Sequence, residues 1–400
     1  MPSCLIDSLA RQVEPVPSVD DPWEIPELSA LVEALASVPD PRGARGRRYA
    51  FAFLLAASVV AVLCGVRSLL GVARFIRGAD RNLLTLLGLE PTTAWTAPAD
   101  STLGRAFKST DADALDDAAC GWLRHVLAHG QDLTATTRSA LRGLAFEGKV
   151  MRGAAKAGAA EPHLVAVVDH DMRTVLGQRA VDAKSNEITA FAPTLAGVDL
   201  AGCVVTADAL HTQRAHAELV HAQGGFYLFP VKGNQANLFA AIDRLPWEHT
   251  PVAYSVTEQV RGRTELREVT VLPAPADLAF PYAAQVLLIE RTTTGRGDGK
   301  IHCTAELAVT SAPWHLASPG RLAEIVRGQW QVETVHMIRD VGYREDASRV
   351  RTGSTPRVMA TLRNLSVSII SLMGWSSFVE ANDHYRDHPR HALQAIGLTC

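Results

Sequence analysis

The hydrophobic pattern of the chain changes from helical to strand-like near residue 141. Upstream, apolar residues recur at helical spacing in FLLAASVVAVL, STLGRAFKS and ALDDAACGWLRHVLAHG, which predicts an all-helical region. Downstream, the short runs LRGLAF, HLVAVVD, RTVLGQRAV, CVVTA and FYLFPV predict five strands, with helices before and after the fourth. This order favours an α/β fold in which helices cover one mixed sheet.

A second change of pattern marks an insertion in the α/β region. Four alternating segments between residues 250 and 312, with the TTTGRGDGK turn among them, predict a β-rich insertion before helical spacing returns. We therefore divide the chain into an N-terminal extension (1–39), a helical domain (40–138), an α/β domain that carries the insertion (139–375) and a C-terminal tail (376–400).

The bulk charge of the chain does not by itself predict nucleic-acid binding. The 400 residues are 47% hydrophobic and carry a formal net charge of -3, so any attraction to a polyanion must come from local basic patches. Six cysteines form no CxxC pair or metal-finger spacing, which favours reduced thiols of a cytoplasmic protein over a disulfide framework. The first residues lack a basic region followed by an apolar run and do not predict a signal peptide.

One uncharged segment leaves a membrane alternative open. Residues 49–66, YAFAFLLAASVVAVLCGV, are long enough to border on a membrane span. The segment is rich in Ala, Ser and Gly, and the amphipathic RSLLGVARFIRGADR follows it. We therefore favour a buried core helix and expect no membrane partner.

Three acidic residues far apart in the chain are candidates for one catalytic site. Glu147 and Asp208 follow the first and fourth predicted strands, which the predicted topology places side by side. Glu333 lies on a later helix, and Asp340 follows it by two helical turns. Converging carboxylates are what a two-metal phosphoryl-transfer site needs. Because the chain has 42 acidic residues, spacing alone also fits three unrelated surface acids.

Several blocks of sequence resemble bacterial insertion-sequence transposases of the H-repeat-associated family. They run in order from about Pro41 to Asn364 and include FEGKVMRGA, QRAVDAKSNEI, VVTADALHTQRAHA, FPVKGNQ and RDVGYREDASRVRTG. The helical-region segments DPRGARGRRY and PADSTLGRAF also resemble the family's associated DNA-binding region. The family belongs to the DDE superfamily, so the resemblance implies an RNase H-like mixed five-stranded sheet flanked by helices.

The resemblance also implies an activity. It assigns Glu147, Asp208 and Glu333 as catalytic ligands of Mg²⁺ or Mn²⁺ in cleavage and strand transfer of double-stranded DNA at terminal inverted repeats, with a homodimer assembled on the DNA. The chain departs from the family pattern at Glu147, where the family has Asp, and at positions 261, 329 and 334. These departures support the alternative of a catalytically impaired or repurposed DNA-binding relic.

Residues that could contact DNA lie in basic and polar loops and on one short helix. Residues 321–367 hold eight arginines against five acidic residues, and Arg forks suit phosphate groups. The Ser101–Ser109 helix could also enter a groove as a helix-turn-helix reader, although such short helices often only pack. The candidates are Lys149, Arg152, Lys184, Asn186, His211, Lys232, Asn234, Gln235, Arg327, Arg344, Arg349, Arg351, Arg105 and Lys108.

Overall fold

The architecture is a mixed α/β fold with a large sheet and a helical layer. The computed structural model describes residues 30–89, 97–132, 141–155, 161–181, 187–260, 262–295 and 299–398.

Six α-helices form the N-terminal part of the fold within residues 30–89 and 97–132. They are α1 (Leu31–Ala36), α2 (Phe51–Leu63), α3 (Leu69–Gly78), α4 (Arg81–Leu86), α5 (Asp100–Lys108) and α6 (Ala112–Asp132). Every residue of α2 except Ala52 is buried, because α1, α3 and later helices pack around it. Within the described ranges no helix is long and apolar enough to cross a membrane, and the apolar segment at 49–66 forms a core helix.

In the part of the chain that the structure describes, nine strands form a single sheet. They are β1 (Arg142–Val150), β2 (His163–Asp169), β3 (Val175–Val181), β4 (Cys203–Thr206), β5 (Phe226–Val231), β6 (Tyr254–Val260), β7 (Arg263–Pro273), β8 (Gln285–Gly295) and β9 (Ile301–Thr310). Their spatial order is β3-β2-β1-β4-β5-β9-β8-β7-β6.

The predicted count of five strands for the sheet is therefore wrong. The inserted strands do not stand apart, because β9 pairs antiparallel with β5 from Leu228↔Thr310 to Val231↔Leu307. Without β9, one edge of β5 would expose unpaired backbone groups, and pairing satisfies them. The insertion thus extends the sheet that β1–β5 begin.

The predicted neighbourhood of the first and fourth strands is confirmed. β1 and β4 pair in parallel from Arg142↔Cys203 to Ala145↔Thr206. β1 does not end there, however, because its antiparallel pairing with β2 continues to Val150↔His163. Glu147 consequently lies within β1 and beyond the last residue that pairs with β4.

Helices cover both faces of the sheet and complete the fold. They are α7 (Glu187–Leu195), α8 (Arg214–Ala222), α9 (Ala236–Asp243), α10 (Pro319–Gly328), α11 (Gln331–Met337), α12 (Thr355–Leu372), α13 (Phe378–Asp387) and α14 (Pro389–Gln394). A π-helical stretch, Ile338–Gly342, continues α11. In the C-terminal region, α13 and α14 both pack against α2.

Alternation along β1 separates two hydrophobic cores. Phe146 points into a core with Val165 and Phe191, the latter from α7. Ala145 points to the opposite face, where it shares a core with Ala166 and with Val332 of α11. Because side chains alternate, Glu147 shares the α11 face with Ala145.

Candidate active site

Parallel pairing brings Glu147 and Asp208 to adjacent strand positions. The last β1–β4 pair is Ala145↔Thr206, and each acid lies two residues beyond its member of that pair. Alternation then gives both acids the same face, and neighbouring strands are separated by about 4.8 Å. Asp208 keeps an extended backbone (φ -73°, ψ 172°), so its side chain continues the alternation of β4.

Gln329 attaches the helix that carries Glu333 to these two strands. Its Oε1 accepts a hydrogen bond from Thr206 Oγ1 at 2.5 Å, and its Nε2 donates to the Phe146 carbonyl at 3.4 Å. Glu333 follows Gln329 by four residues, hence by about one helical turn. Its exposed side chain therefore lies at the level of the β1 and β4 ends.

Burial and other acidic groups both raise the pKa of Glu147. Burial, and then the negative charges of Glu333, Asp208 and Glu187, raise its pKa to about 7. An acid that is close to other carboxylates gives up its proton less readily, because ionisation adds like charge to the site. The charges of the other two predicted acids, and of a fourth acid, therefore all act on Glu147.

That fourth acid, Glu187, was not among the predicted site residues. Its carboxylate oxygens lie 3.1 Å from His163 Nε2 and 3.6 Å from His211 Nε2. Contacts with the two imidazoles lower the pKa of Glu187 to about 2, although burial opposes them. Its sequence signal was the KSNEI block, from which only Lys184 and Asn186 were selected.

Gly148 allows this group to approach β1. A Cβ at residue 148 would lie 2.3 Å from His163 Nε2 and 2.6 Å from Glu187 Oε1. Any larger residue at position 148 would therefore displace the Glu187–His163 pair from β1. This contact gives a physical reason for glycine directly after the acid in the FEGKV segment.

The loop after β4, which carries Asp208, is held by side chains of the loop after β5. Asp208 Oδ1 accepts the backbone N–H of Leu210 at 3.0 Å. From the next loop, Asn234 Nδ2 donates to the Ala209 carbonyl at 2.6 Å and Gln235 Nε2 donates to the Thr212 carbonyl at 2.7 Å. Asn234 and Gln235, both predicted to contact DNA, therefore hold the loop that positions Asp208.

The donor set suits a hard divalent cation. Glu147, Asp208 and Glu333 offer carboxylate oxygens, which Mg²⁺ and Mn²⁺ prefer. Burial and the negative charges of Glu333, Asp208 and Glu187 raise the pKa of Glu147, and a bound cation would offset those charges. In the part of the chain that the structure describes, no three acidic, His or Cys side chains are grouped as a metal would hold them. Ligation would thus require the carboxylates to close on the ion.

The other predicted DNA contacts fall into three groups. Lys184 and Asn186 lie outside the described residues. Lys149 is buried and its Nζ contacts Asp340 at 2.6 Å, while His211 is buried against Phe146 and Phe191. The remaining basic candidates have exposed side chains: Arg105, Lys108, Arg152, Lys232, Arg327, Arg344, Arg349 and Arg351.

Some exposed arginines and lysines already have acidic partners. Lys232 Nζ lies 2.7 Å from Glu306, and Arg327 Nη1 lies 2.8 Å from Glu258. Arg351 Nε instead donates to the Gly153 carbonyl at 3.4 Å. Exposed pairs of this kind are weak, so a phosphate group could replace either carboxylate as the partner.

Comparison with known proteins defines the class of protein. A family model described as the transposase DDE domain matches residues 130–369, and a model of the domain associated with it matches residues 32–123. The chain therefore belongs to the DDE-domain transposase family. The resemblance to H-repeat-associated transposases is confirmed by these matches and by the relatives below.

Similar proteins include two bacterial relatives and one solved structure. "H repeat-associated putative transposase YhhI" of Escherichia coli (strain K12) is 25% identical over 86% of this chain and 91% of its own length. "Uncharacterized protein in dhlA 3'region" of Xanthobacter autotrophicus is 30% identical over 70% of this chain and 93% of its own length. A piggyBac transposase synaptic complex with hairpin DNA covers 91% of this chain and 73% of its own, with 8% identity and a TM-score of 0.37.

Proposed function

We propose that this transposase-family chain cleaves DNA strands at the ends of an insertion element and transfers them to target DNA. The observation that carries the proposal is the parallel β1–β4 register, which puts Glu147 and Asp208 at matching positions beyond Ala145 and Thr206. Gln329 joins the chain before Glu333 to both strands. The pKa of Glu147, raised to about 7 by burial and by Glu333, Asp208 and Glu187, agrees with this arrangement.

The chemistry follows from the carboxylates. Glu147, Asp208 and Glu333 would hold Mg²⁺ or Mn²⁺, which when bound supplies positive charge for the attacking and leaving oxygens of a phosphodiester. Water attacks first, and the 3′-hydroxyl released then attacks the target strand. The protein needs no covalent nucleophile of its own, and its task is to align the strands.

The proposal extends to the core of the fold and to its partners. We assign β1–β5 as an RNase H-like core, because antiparallel β3-β2-β1 is followed by parallel β4 and β5. The partners would be double-stranded DNA with terminal inverted repeats and target DNA, in the cytoplasm. Joining two element ends calls for two protomers, so a homodimer would assemble on the DNA.

A strand-cleavage assay tests the activity. The full chain is incubated with Mg²⁺ and duplex DNA that carries the inverted repeats flanking its gene. We expect nicking at the repeat boundary by the natural chain, and loss of nicking in Asp208→Ala with DNA binding retained. Within the described residues, the Asp208 carboxylate contacts the Leu210 N–H and His211, both in its own loop, so the variant should fold.

Glu147→Asp separates the proposal from the relic alternative. Its side chain is one methylene shorter, and displacement of a catalytic group by about 1 Å can change a rate roughly 100-fold. Cleavage by the natural chain supports the proposed enzyme. Cleavage only after Glu147→Asp identifies an impaired DNA-binding relic instead, and absence of cleavage in both chains contradicts the catalytic proposal.

A further inference from the structure

Two distant segments of the helical part form a basic hollow on the surface. Residues 41–49 line one side and residues 97–109 line the other, around a volume of about 830 Å³. We call this feature the basic hollow. Its five cationic lining residues are Arg42, Arg45, Arg48, Arg105 and Lys108.

The charge of the basic hollow differs from that of the whole chain. Among the residues that the structure describes, no acidic side chain lines it, although the chain has a net charge of -3. Asp40 lies next to the hollow, but Arg42 Nε and Nη2 contact its carboxylate at 2.8 and 2.9 Å. That fork, with a 2.6 Å bond from Arg42 Nη2 to the Tyr49 carbonyl, fixes the 41–49 loop.

The cationic groups that face solvent come from both sides of the hollow. Arg45 lies on the loop, whereas Arg105 and Lys108 lie one turn apart on α5, and all three side chains are exposed. The opposite face of α5 is committed to the core through Leu103, Ala106 and Phe107. A concave surface with arginines on two walls suits the phosphates of a DNA backbone better than the edges of bases.

The basic hollow is fixed relative to the catalytic strand by close backbone contacts. At the end of α5, the Lys108 carbonyl accepts the Ser354 N–H at 3.0 Å, and a Cβ at Gly353 would lie 2.2 Å from that carbonyl. The same loop contacts the segment after β1, because a Cβ at Gly153 would lie 2.6 Å from the Glu345 carbonyl. A duplex held in the hollow is thereby held relative to Glu147.

We propose that the basic hollow binds the phosphate backbone of duplex DNA without reading its sequence, and so sets the position of the duplex over the acidic site. This inference rests on the proposed action on DNA and adds the surface that anchors the substrate. Specificity for the element ends then comes from other contacts, because phosphate contacts position a duplex but carry no sequence information.

The test measures DNA binding by the full chain in EDTA, so that cleavage does not contribute. Arg45→Ala/Arg105→Ala is compared with the natural chain on an element-end duplex and on an unrelated duplex of equal length. Loss of two phosphate contacts should reduce the slope of log affinity against log salt by about 1.8. Affinity for the two duplexes should fall by the same factor.

Two controls separate this result from loss of folding or of net charge. Arg74→Ala/Arg390→Ala removes the same charge from a second hollow, which Asp80 and Asp387 also line, and should leave the slope unchanged. Arg45→Lys/Arg105→Lys keeps the charge and should keep most of the slope. Thermal unfolding of each variant confirms that it folds.

The outcomes are distinct from those of the cleavage assay. An unchanged slope in Arg45→Ala/Arg105→Ala, or a loss of affinity confined to the element-end duplex, overturns the hollow as a backbone site even if the natural chain cleaves DNA. The expected slope change without cleavage in Mg²⁺ supports the hollow and counts against the catalytic proposal. Absence of any duplex binding by the natural chain overturns both.

Discussion

At the scale of single residues, the acid at position 147 has an unusual environment. Its carboxyl group is half-buried, and its pKa is raised to about 7 by burial and by three other acids. The ordinary value is 4.5, so the folded protein binds this proton more tightly than the unfolded chain does. The residue therefore costs stability above its ordinary pKa, and a bound cation would offset that cost.

Glu147→Gln should stabilise the cation-free protein at high pH. Below about pH 4.5 the acid is protonated in both states and has no effect, while the cost grows as pH rises through 7. We expect the free energy of unfolding of the variant to be about 1–2 kcal/mol higher than that of the natural chain at pH 8.5, after allowance for the partial exposure of Glu147. Urea unfolding in EDTA at pH 4.5 and 8.5 measures the difference.

Addition of Mg²⁺ provides the control for that measurement. The natural chain should gain stability at pH 8.5 as the cation concentration rises, whereas Glu147→Gln should gain less, because one ligand is gone. If the natural chain is as stable as the variant in EDTA at pH 8.5, burial and the neighbouring acids do not destabilise the ionised form of Glu147.

At the scale of elements, one polar side chain joins the start of α11 to two strands, in addition to the buried Val332 and Val335 of the helix. Gln329 bonds to Thr206 of β4 and to the Phe146 carbonyl of β1, and so joins the helix to both strands that carry acids. The same Thr206 hydroxyl lies 3.1 Å from His170 Nε2. A departure from the family pattern at position 329 is thus compatible with an ordered site.

Gln329→Leu should reduce cleavage without loss of DNA binding. Leucine is of similar size but cannot bond to either strand, so α11 can shift and displace Glu333. Displacement by about 1 Å is expected to lower the cleavage rate by roughly 10- to 100-fold. Single-turnover cleavage and duplex affinity are measured on the same preparation.

Gln331→Leu, at the first residue of α11, is the matched control. It makes the same substitution two residues further on and should retain most of the cleavage rate. Equal losses in the two variants, or a fall in duplex affinity that accounts for the whole effect in Gln329→Leu, would count against a positioning role for Gln329.

At the scale of the whole molecule, a buried polar network joins the site to the helical layer. Arg339, in the π-helical stretch after α11, binds Glu345 at 2.5 and 2.8 Å and Asn364 of α12 at 3.3 Å. Asn364 Nδ2 then donates to Gln178 of β3 at 2.6 Å, and Gln178 donates to Asp116 of α6 at 2.8 Å. The RDVGYRED block therefore holds the fold together as well as carrying candidate DNA contacts.

Glu345→Gln should destabilise the protein strongly. Burial alone would raise the pKa of Glu345, but Arg339, together with Arg363 and Lys149, lowers it to about 2. Removal of one partner leaves Arg339 buried without its counter-charge, which costs about 3–5 kcal/mol. Urea unfolding at pH 7 measures this, and the difference should shrink as pH falls from 4.5 towards 2, because the natural acid then loses its advantage.

An ion pair near the surface supplies the comparison. Asp117→Asn removes the partner of Arg179, which lies 2.5 Å away with the carboxylate largely exposed, and should change stability by no more than about 1 kcal/mol. If Glu345→Gln and Asp117→Asn lower the free energy of unfolding by similar amounts, the buried pair stabilises the fold no more than the exposed pair does.

The sequence by itself determined the elements and the choice of acids. Alternating residues and apolar runs predicted the positions of β1–β5, because the burial of each strand follows the hydrophobic pattern of its own sequence. Order along the chain then predicted the β1–β4 neighbourhood, since a crossover helix favours parallel pairing. The family blocks selected Glu147, Asp208 and Glu333 from many possible acids.

Only the tertiary structure decided what those elements meet. The joining of β9 to β5, the approach of Glu187 to β1 at Gly148, and the basic hollow each depend on contacts between segments that are distant in the chain. Local periodicity reports which face of an element is buried, but not the register or partner that buries it. For that reason the sequence predicted the helical region and showed its resemblance to a DNA-binding region. Only the packing of the helices shows that its two basic segments line one hollow.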